Sequence, residues 1–253
     1  MRRELVRRGN CPTCNSDYQR LAQHWSGSCT PPALANEQRK LIAGLLLGDG
    51  FVGGSGENKH FQLSTRWRPL VEWLFDELGW LAMKIVRWDH LDDGHPPPAQ
   101  RYIVRTHAHS ALTRFRAWYD AEGNRRFPAP EDLPGGRLTP RSGRAWHATA
   151  GGLLWSNPEY ATTRQAWFSA AVDERATRVR ALLKSVGLEP TRAGKRVQLS
   201  PKQTTAWLEW IGDPVPGVEY KWAATHEEYR DLKRDEEGLR VWLWHNPEAD
   251  ALD

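Results

Sequence analysis

The chain has 253 residues, 40% of them hydrophobic and 26% charged, with 35 Lys and Arg against 31 Asp and Glu for a net charge of +4. That length accommodates two modules of roughly 100–150 residues, or one larger domain with appendages, and the apolar share suffices for a packed core. No apolar run approaches the roughly 20 residues of a membrane span, and no signal-peptide core follows the Met1-Arg-Arg-Glu start, so the expectation is an intracellular protein of the cytoplasm or nucleoid. Fourteen tryptophans can fill a core or stack on bases, and their number alone does not decide between the two.

All three cysteines fall in the first 29 residues. With His24 they form the spacing C-x2-C-x9-H-x4-C through Cys11, Cys14, His24 and Cys29. Two thiolates from a tight turn, plus a His and a Cys a few residues apart, make the tetrahedral soft-ligand set that Zn2+ prefers. YQRLAQH reads as a short helix presenting His24. A closed four-ligand site leaves no position for substrate, so this module is expected to be structural, a metal staple for a segment too small to have its own core. Residues 1–32 are taken as the zinc module, and 30–37 as a linker.

Residues 36–47 predict a helix capped by Asn36, and Gly48-Asp49-Gly50 stops it before an extended Phe51-Val52. Asp49 is thereby held at the partially negative end of a helix. A carboxylate there calls for a cation, and a hard ion such as Mg2+, coordinated by oxygen, removes the conflict. Pro69 to Gly79 reads as an amphipathic helix with a glycine stop. HFQLSTRW (60–67), MKIVRW (83–88) and RYIVRTH (101–107) alternate as half-buried strands do, with Gln62, Ser64, Arg66, Arg105 and His107 among their polar positions. His107 and His109 have no partner at metal spacing and read as sheet or turn residues. Six arginines lie between Arg101 and Arg126, followed by Arg137, Arg141 and Arg144. Such a local excess suits a phosphate-binding surface and equally a solvated face.

The second half repeats the order. EYATTRQAW (159–167) and KRVQLS (195–200) read as strands carrying Thr163, Gln165, Arg196 and Gln198. Asp173 to Gly187 and residues 200–214 read as helices, with Asp173 and Ser200 as caps. Arg and Gln are the usual readers of G and A edges in the major groove, so these positions, with Gln62, Ser64, Arg66, Arg105 and His107 of the first half, are candidates for DNA contact, although any solvated sheet has polar faces. RVWLWH (240–245) in the mixed-charge tail is a possible further strand.

Residues 42–50, IAGLLLGDG, resemble the LAGLIDADG motif in its variant ending LLGDG, where the position of Leu47 is commonly apolar. Later landmarks follow the order of the LAGLIDADG homing endonucleases: residues 101–128 resemble the strand, helix and basic turn before the second motif, LTP (138–140) its lead-in, and VPGVEYKW (215–222) the closing segment. The resemblance covers roughly residues 38–222. It implies an α+β fold with a pseudo-twofold duplicated αββαββα-type core and antiparallel sheet saddles, the first half at 38–136, the second at 137–225 and a C-terminal extension at 226–253.

It further implies a monomeric, Mg2+-dependent DNA endonuclease with a long double-stranded recognition site. Asp49, with Gly48, is then the metal-binding catalytic position. Lys221 and Arg125 are the basic residues beside the active centre. In GRAWHATAGG (143–152), Trp146 and Gly151 match the second motif, but Thr149 and Ala150 stand where two acids belong. The implied activity is therefore asymmetric, down to strand nicking. The alternatives are a DNA-binding protein without cleavage and a maturase whose partner is intron RNA.

Overall fold

A computed structural model of the protein describes residues 4–6, 9–18, 21–54, 58–88, 101–155 and 163–233. After β1 (Glu4–Val6), β2 (Gly9–Asn10), β3 (Asp17–Tyr18) and α1 (Leu21–Gly27), the first half runs α2 (Asn36–Leu47), β4 (Phe51–Gly53), β5 (His60–Thr65), α3 (Arg68–Leu78), β6 (Ala82–Trp88), β7 (Arg101–Thr106) and a 3-10 segment (Ser110–Trp118). The second half runs α4 (Pro140–Ala150), β8 (Gly151–Trp155), β9 (Arg164–Ser169), α5 (Asp173–Lys184), β10 (Thr191–Ala193), β11 (Arg196–Gln198) and α6 (Pro201–Ile211).

The two larger sheets have strand orders β1-β6-β7-β5-β4 and β10-β11-β9-β8, their strand pairings are antiparallel, and β2 and β3 form a small antiparallel pair of their own. Without β1 the orders coincide strand for strand, so the duplicated αββαββα architecture is present. The final helix of the first half is replaced by the 3-10 segment Ser110–Trp118, where a helix was expected.

The halves meet through α2 and α4. Leu41 to Leu47 of α2 are all buried, as are Ala145 to Ala148 of α4. Glycine sets the closeness: a Cβ on Gly44 would collide with the Ser142 backbone, and one on Gly48 with the Thr149 hydroxyl. Small residues that let two backbones touch also exclude water from the seam between them. The apolar sides of both sheets, with Phe61, Leu63, Val104, Ala166, Phe168 and Val197, complete a shared core. The opposite sheet faces carry the polar residues.

Two expected caps are corrected. Ala35, not Asn36, precedes α2, and the Gln38 side chain accepts from its N–H at 3.1 Å. Val172, not Asp173, precedes α5; Asp173 is the first helical residue and pairs with Arg192. An acid in the first turn still complements the helix dipole without capping it. The linker is not free chain either: Leu34 is buried, and His109 Nε2 lies 2.9 Å from the Pro32 carbonyl. The possible strand at 240–245, and residues 159–162 of the expected strand at 159–167, lie outside the described residues.

Gly44→Val inserts bulk at the seam where only backbone faces it. It should lower the stability measured by urea unfolding by about 3 kcal/mol; a loss below about 1 kcal/mol would show that the helices do not meet there.

Candidate active site

α2 ends where the sequence indicates. Gly48 N–H reaches the carbonyls of Gly44 and Leu45, and Gly50 N–H donates back to Leu45 O at 2.8 Å. Gly50 permits this reversal, because a Cβ there would lie 2.6 Å from the Phe61 ring. Asp49 is the one exposed residue in a run of buried neighbours from Leu41 to Gly50, apart from the partly shielded flank before it. Its side chain faces a cavity of about 350 Å³ shared with Arg66, Arg101, Thr149, Tyr220 and Lys221.

The two basic residues singled out by sequence both act on helix ends. Arg125 Nη1 donates to Leu46 O at 2.8 Å, to Gly48 O, and to Gly50 O at 3.3 Å. Lys221, only 8% exposed, donates to Ala148 O at 2.6 Å. Each half thus places a cation on the C-terminal carbonyls of its own central helix, which the helix dipole favours. His147 closes the second arrangement: its Nε2 lies 3.0 Å from Lys221 O, so α4 and the closing turn hold each other reciprocally.

Gly48 was expected beside Asp49 as a metal ligand. Its carbonyl instead receives the Arg125 guanidinium, which disfavours a second cation on the same oxygen. Across the seam, Ala150 supplies no carboxylate and the Ala148 carbonyl is taken by Lys221. Among the described residues, Asp49 is the one acidic side chain lining the cavity. A single carboxylate can still suit Mg2+, which commonly binds through one or two carboxylates, substrate phosphates and water. The site therefore fits one such ion and not a symmetric pair.

Sequence reading missed Arg175. From the first turn of α5 it stacks over Phe127, 4.6 Å from guanidinium carbon to ring centroid, with Arg125 5.9 Å over the same ring. Burial lowers the pKa of both guanidiniums, while the Asp49 charge raises each. Its Nε is buried without a hydrogen-bond partner among the described residues. No local motif marks Arg175, because its neighbour Arg125 is 50 positions away and only the fold joins them.

The polar candidates occupy the exposed sheet faces. Gln62 and Arg105 are cross-strand partners, with Arg105 Nη2 donating to Gln62 Oε1 at 3.0 Å. Ser64 shares their face by strand alternation, and exposed Arg66 follows β5. On the second sheet, Gln165 and Gln198 lie on the face opposite the core, Arg196 stacks 4.5 Å over Trp167, and Thr163 is exposed before β9. His107 is not on these surfaces. It is 3% exposed and packs edge-on against Trp25 at 5.8 Å, so its expected DNA contact is corrected to a packing role.

The four N-terminal ligand atoms lie within 4.8 Å of one another. Cys11 and Cys29 sulfurs are 3.8 Å apart, and Cys14 Sγ is 3.4 Å from His24 Nε2. A tetrahedron with Zn–S bonds near 2.3 Å has sulfur–sulfur edges of about 3.8 Å, so the donor set fits zinc. Burial opposes the Cys11 thiolate, but N–H groups of Cys14 and Thr13 and the Trp25 indole outweigh it and lower the thiol to about 5. Trp25 joins this cluster to Trp80, His107 and His109, and β1 pairs with β6. The module is therefore docked onto the first half.

No protein-family profile matches the chain, and no curated protein matches it significantly. Among solved structures, the homing endonuclease I-WcaI bound to its DNA recognition sequence is 14% identical, with a TM-score of 0.65 over 76% of this chain and 88% of that one. The LAGLIDADG meganuclease I-AabMI bound to uncleaved DNA is 12% identical over 82% and 92%, and the LAGLIDADG homing endonuclease I-GzeII in complex with its DNA target is 8% identical over 85% and 93%. Both of these have a TM-score of 0.38, at which the likeness carries no weight.

Two buried histidines make stability depend on pH. Burial depresses His147 to about 3 and His107 to about 4. In the unfolded chain each binds a proton near pH 6.5. Stability should be complete above that pH and fall as pH drops from about 6.5 toward 4, by up to about 1.4 kcal/mol per unit for each histidine. Urea midpoints across pH 4–8 check this, and His147→Gln should flatten the slope. In architecture, the chain has the LAGLIDADG homing-endonuclease fold with a cysteine–histidine cluster suited to zinc at its N-terminus.

Proposed function

We propose that the chain is a site-specific endonuclease of the homing type that binds a long double-stranded DNA site and nicks one strand at Asp49. The observation that carries this reading is an exposed carboxylate at the crossing of two central helices, flanked by two polar sheet faces and opposed by Ala150. The fold likeness to an endonuclease bound to its DNA supports it. Because both motif helices come from one chain and already seal their seam, a monomer suffices.

The sheets supply recognition. Gln62, Ser64, Arg66 and Arg105 in the first half, with Thr163, Gln165, Arg196 and Gln198 in the second, are the candidates for base edges and phosphates. Gln and Arg present bidentate groups to adenine and guanine edges. A bound duplex would bring a phosphate over the cavity beside Asp49.

There, Asp49 supplies the single carboxylate that can accept a hydrogen bond from the attacking water. Mg2+, held by Asp49 and phosphate oxygens, would contribute Lewis-acid stabilisation of the developing charge. Lys221, Arg66 and Arg101 line the same space as fixed positive charge for the phosphate, an arrangement that stabilises the transition state most where water is excluded. Arg125 and Arg175 hold the Asp49 side of the centre; Arg125 is a positioning residue through the helix-end carbonyls. Zn2+ in the N-terminal cluster is structural in this scheme.

A second reading, DNA binding without cleavage, is favoured by one feature: Asp49 stands without a second acid among the described residues lining the cavity, and Arg125 and Lys221 already occupy the helix-end carbonyls. A supercoiled plasmid carrying a sequence selected by binding separates the two. With Mg2+, relaxed circles should form and linear product should be scarce. Asp49→Asn should reduce nicking at least about 100-fold, and Ala150→Asp should raise the linear fraction. Binding with no nicking establishes the second reading, and preference for intron RNA over the plasmid site points to the maturase.

A further inference from the structure

The outward faces of both sheets carry an aromatic side chain beside their Arg and Gln residues. Phe51 is 43% exposed, the one aromatic among the large exposed hydrophobics of the described residues. It lies two residues beyond Asp49 on β4, directly across from Gln62. Its ring sits over Gly53, where a Cβ would collide with it, and meets Tyr119 edge-on at 5.7 Å. An exposed ring held in this way has already lost much of its rotational freedom.

The duplication shows what corresponds to it. Asp49-Gly50-Phe51 matches Ala150-Gly151-Gly152, because each triplet leads from a central helix into the first strand of its half. Gly152 has no side chain, but its cross-strand partner is Trp167. A Cβ on Gly152 would lie 2.6 Å from the indole, so the Trp167 ring fills the space that the glycine vacates. Arg196 stacks on it at 4.5 Å. The pair Phe51/Gln62 in one half thus becomes Gly152/Trp167 in the other: the aromatic group has changed strands and kept its place. Two unlike sequences arrive at one ring in the first hairpin of each sheet, on the face that carries Gln62 and Arg105 in one half and Gln165 and Gln198 in the other.

We propose that Phe51 and Trp167 are specificity-determining residues that each contact the C5-methyl group of a thymine in the major groove. This rests on the reading of the two sheets as DNA-binding surfaces. The thymine methyl is the apolar group that base pairs display in that groove, and aromatic or aliphatic side chains are its natural partners. Water leaves both surfaces on contact, which gives a selective gain of the size expected for burying one methyl. The placement next to the central helices puts both thymines near the middle of the site, one in each half.

The test uses the full-length zinc-loaded protein and a random double-stranded DNA library. After selection by binding, thymines in the enriched sequence are replaced one at a time by deoxyuridine, which removes only the methyl. One central thymine in each half-site should lose about fourfold in affinity. Phe51→Ser should abolish that sensitivity in the first half-site alone, and Trp167→Ser in the second alone, whereas Phe51→Leu should keep it. Gln62→Ala should weaken binding while leaving the thymine-to-deoxyuridine ratio unchanged. The inference is overturned if the wild type is indifferent to every replacement, or if sensitivity persists in both serine variants. Failure to enrich any sequence would overturn the DNA-binding reading itself and this inference with it.

Discussion

Two helices can approach to backbone contact only where side chains are missing, and the rest of this molecule is arranged around one such approach. Gly44 and Gly48 of α2 face Ser142 and Thr149 of α4 with no room for a Cβ. This contact fixes the relation of the halves, because each sheet leaves directly from the end of one of these helices. It also fixes where the acid stands. Asp49 emerges at the point where the seam opens, between surfaces that a duplicated fold must place on both sides.

Ending two helices at one place concentrates negative partial charge there, and Asp49 adds a full one. The chain answers with Arg125 on one helix end and Lys221 on the other, each donating to main-chain carbonyls. Arg175 adds a third cation, stacked with Arg125 on Phe127. Ala150 at the corresponding end of α4 adds no charge to this balance and packs against the core. In the proposed endonuclease it would leave the opposite half without an equivalent of Asp49 among the described residues, so that the fold would be two-fold and the centre would not.

Much of this was legible in the sequence because it is local. The glycine stop at 48–50, the proline and serine at the start of α6, and the alternation in β5 and β7 each follow from short-range backbone preferences. The Cys and His spacing yields a cluster whose sulfur separations match a tetrahedral ion. What local patterns concealed depends on distant neighbours. His107 looks like an exposed strand residue until Trp25 covers it, and Arg175 looks like an ordinary helix arginine until α5 is set beside Phe127. The Gly48 carbonyl looks open beside Asp49 until the fold brings Arg125 to donate to it. The caps failed for a milder reason: Asn36 and Asp173 are good cap residues, yet the chain enters each helix one residue earlier.

In the proposed nickase a two-fold architecture carries a one-fold active centre, with Asp49 on one helix end and Ala150 on the other. Strand-resolved cleavage tests it most directly. A duplex selected by binding, labelled separately at each 5′ end and incubated with the protein and Mg2+, should be cut on one strand only, with the second strand at least about 100-fold slower, as expected where a major electrostatic contributor is missing. Cleavage of both strands at similar rates would contradict the account and require a second acid that Ala150 does not provide.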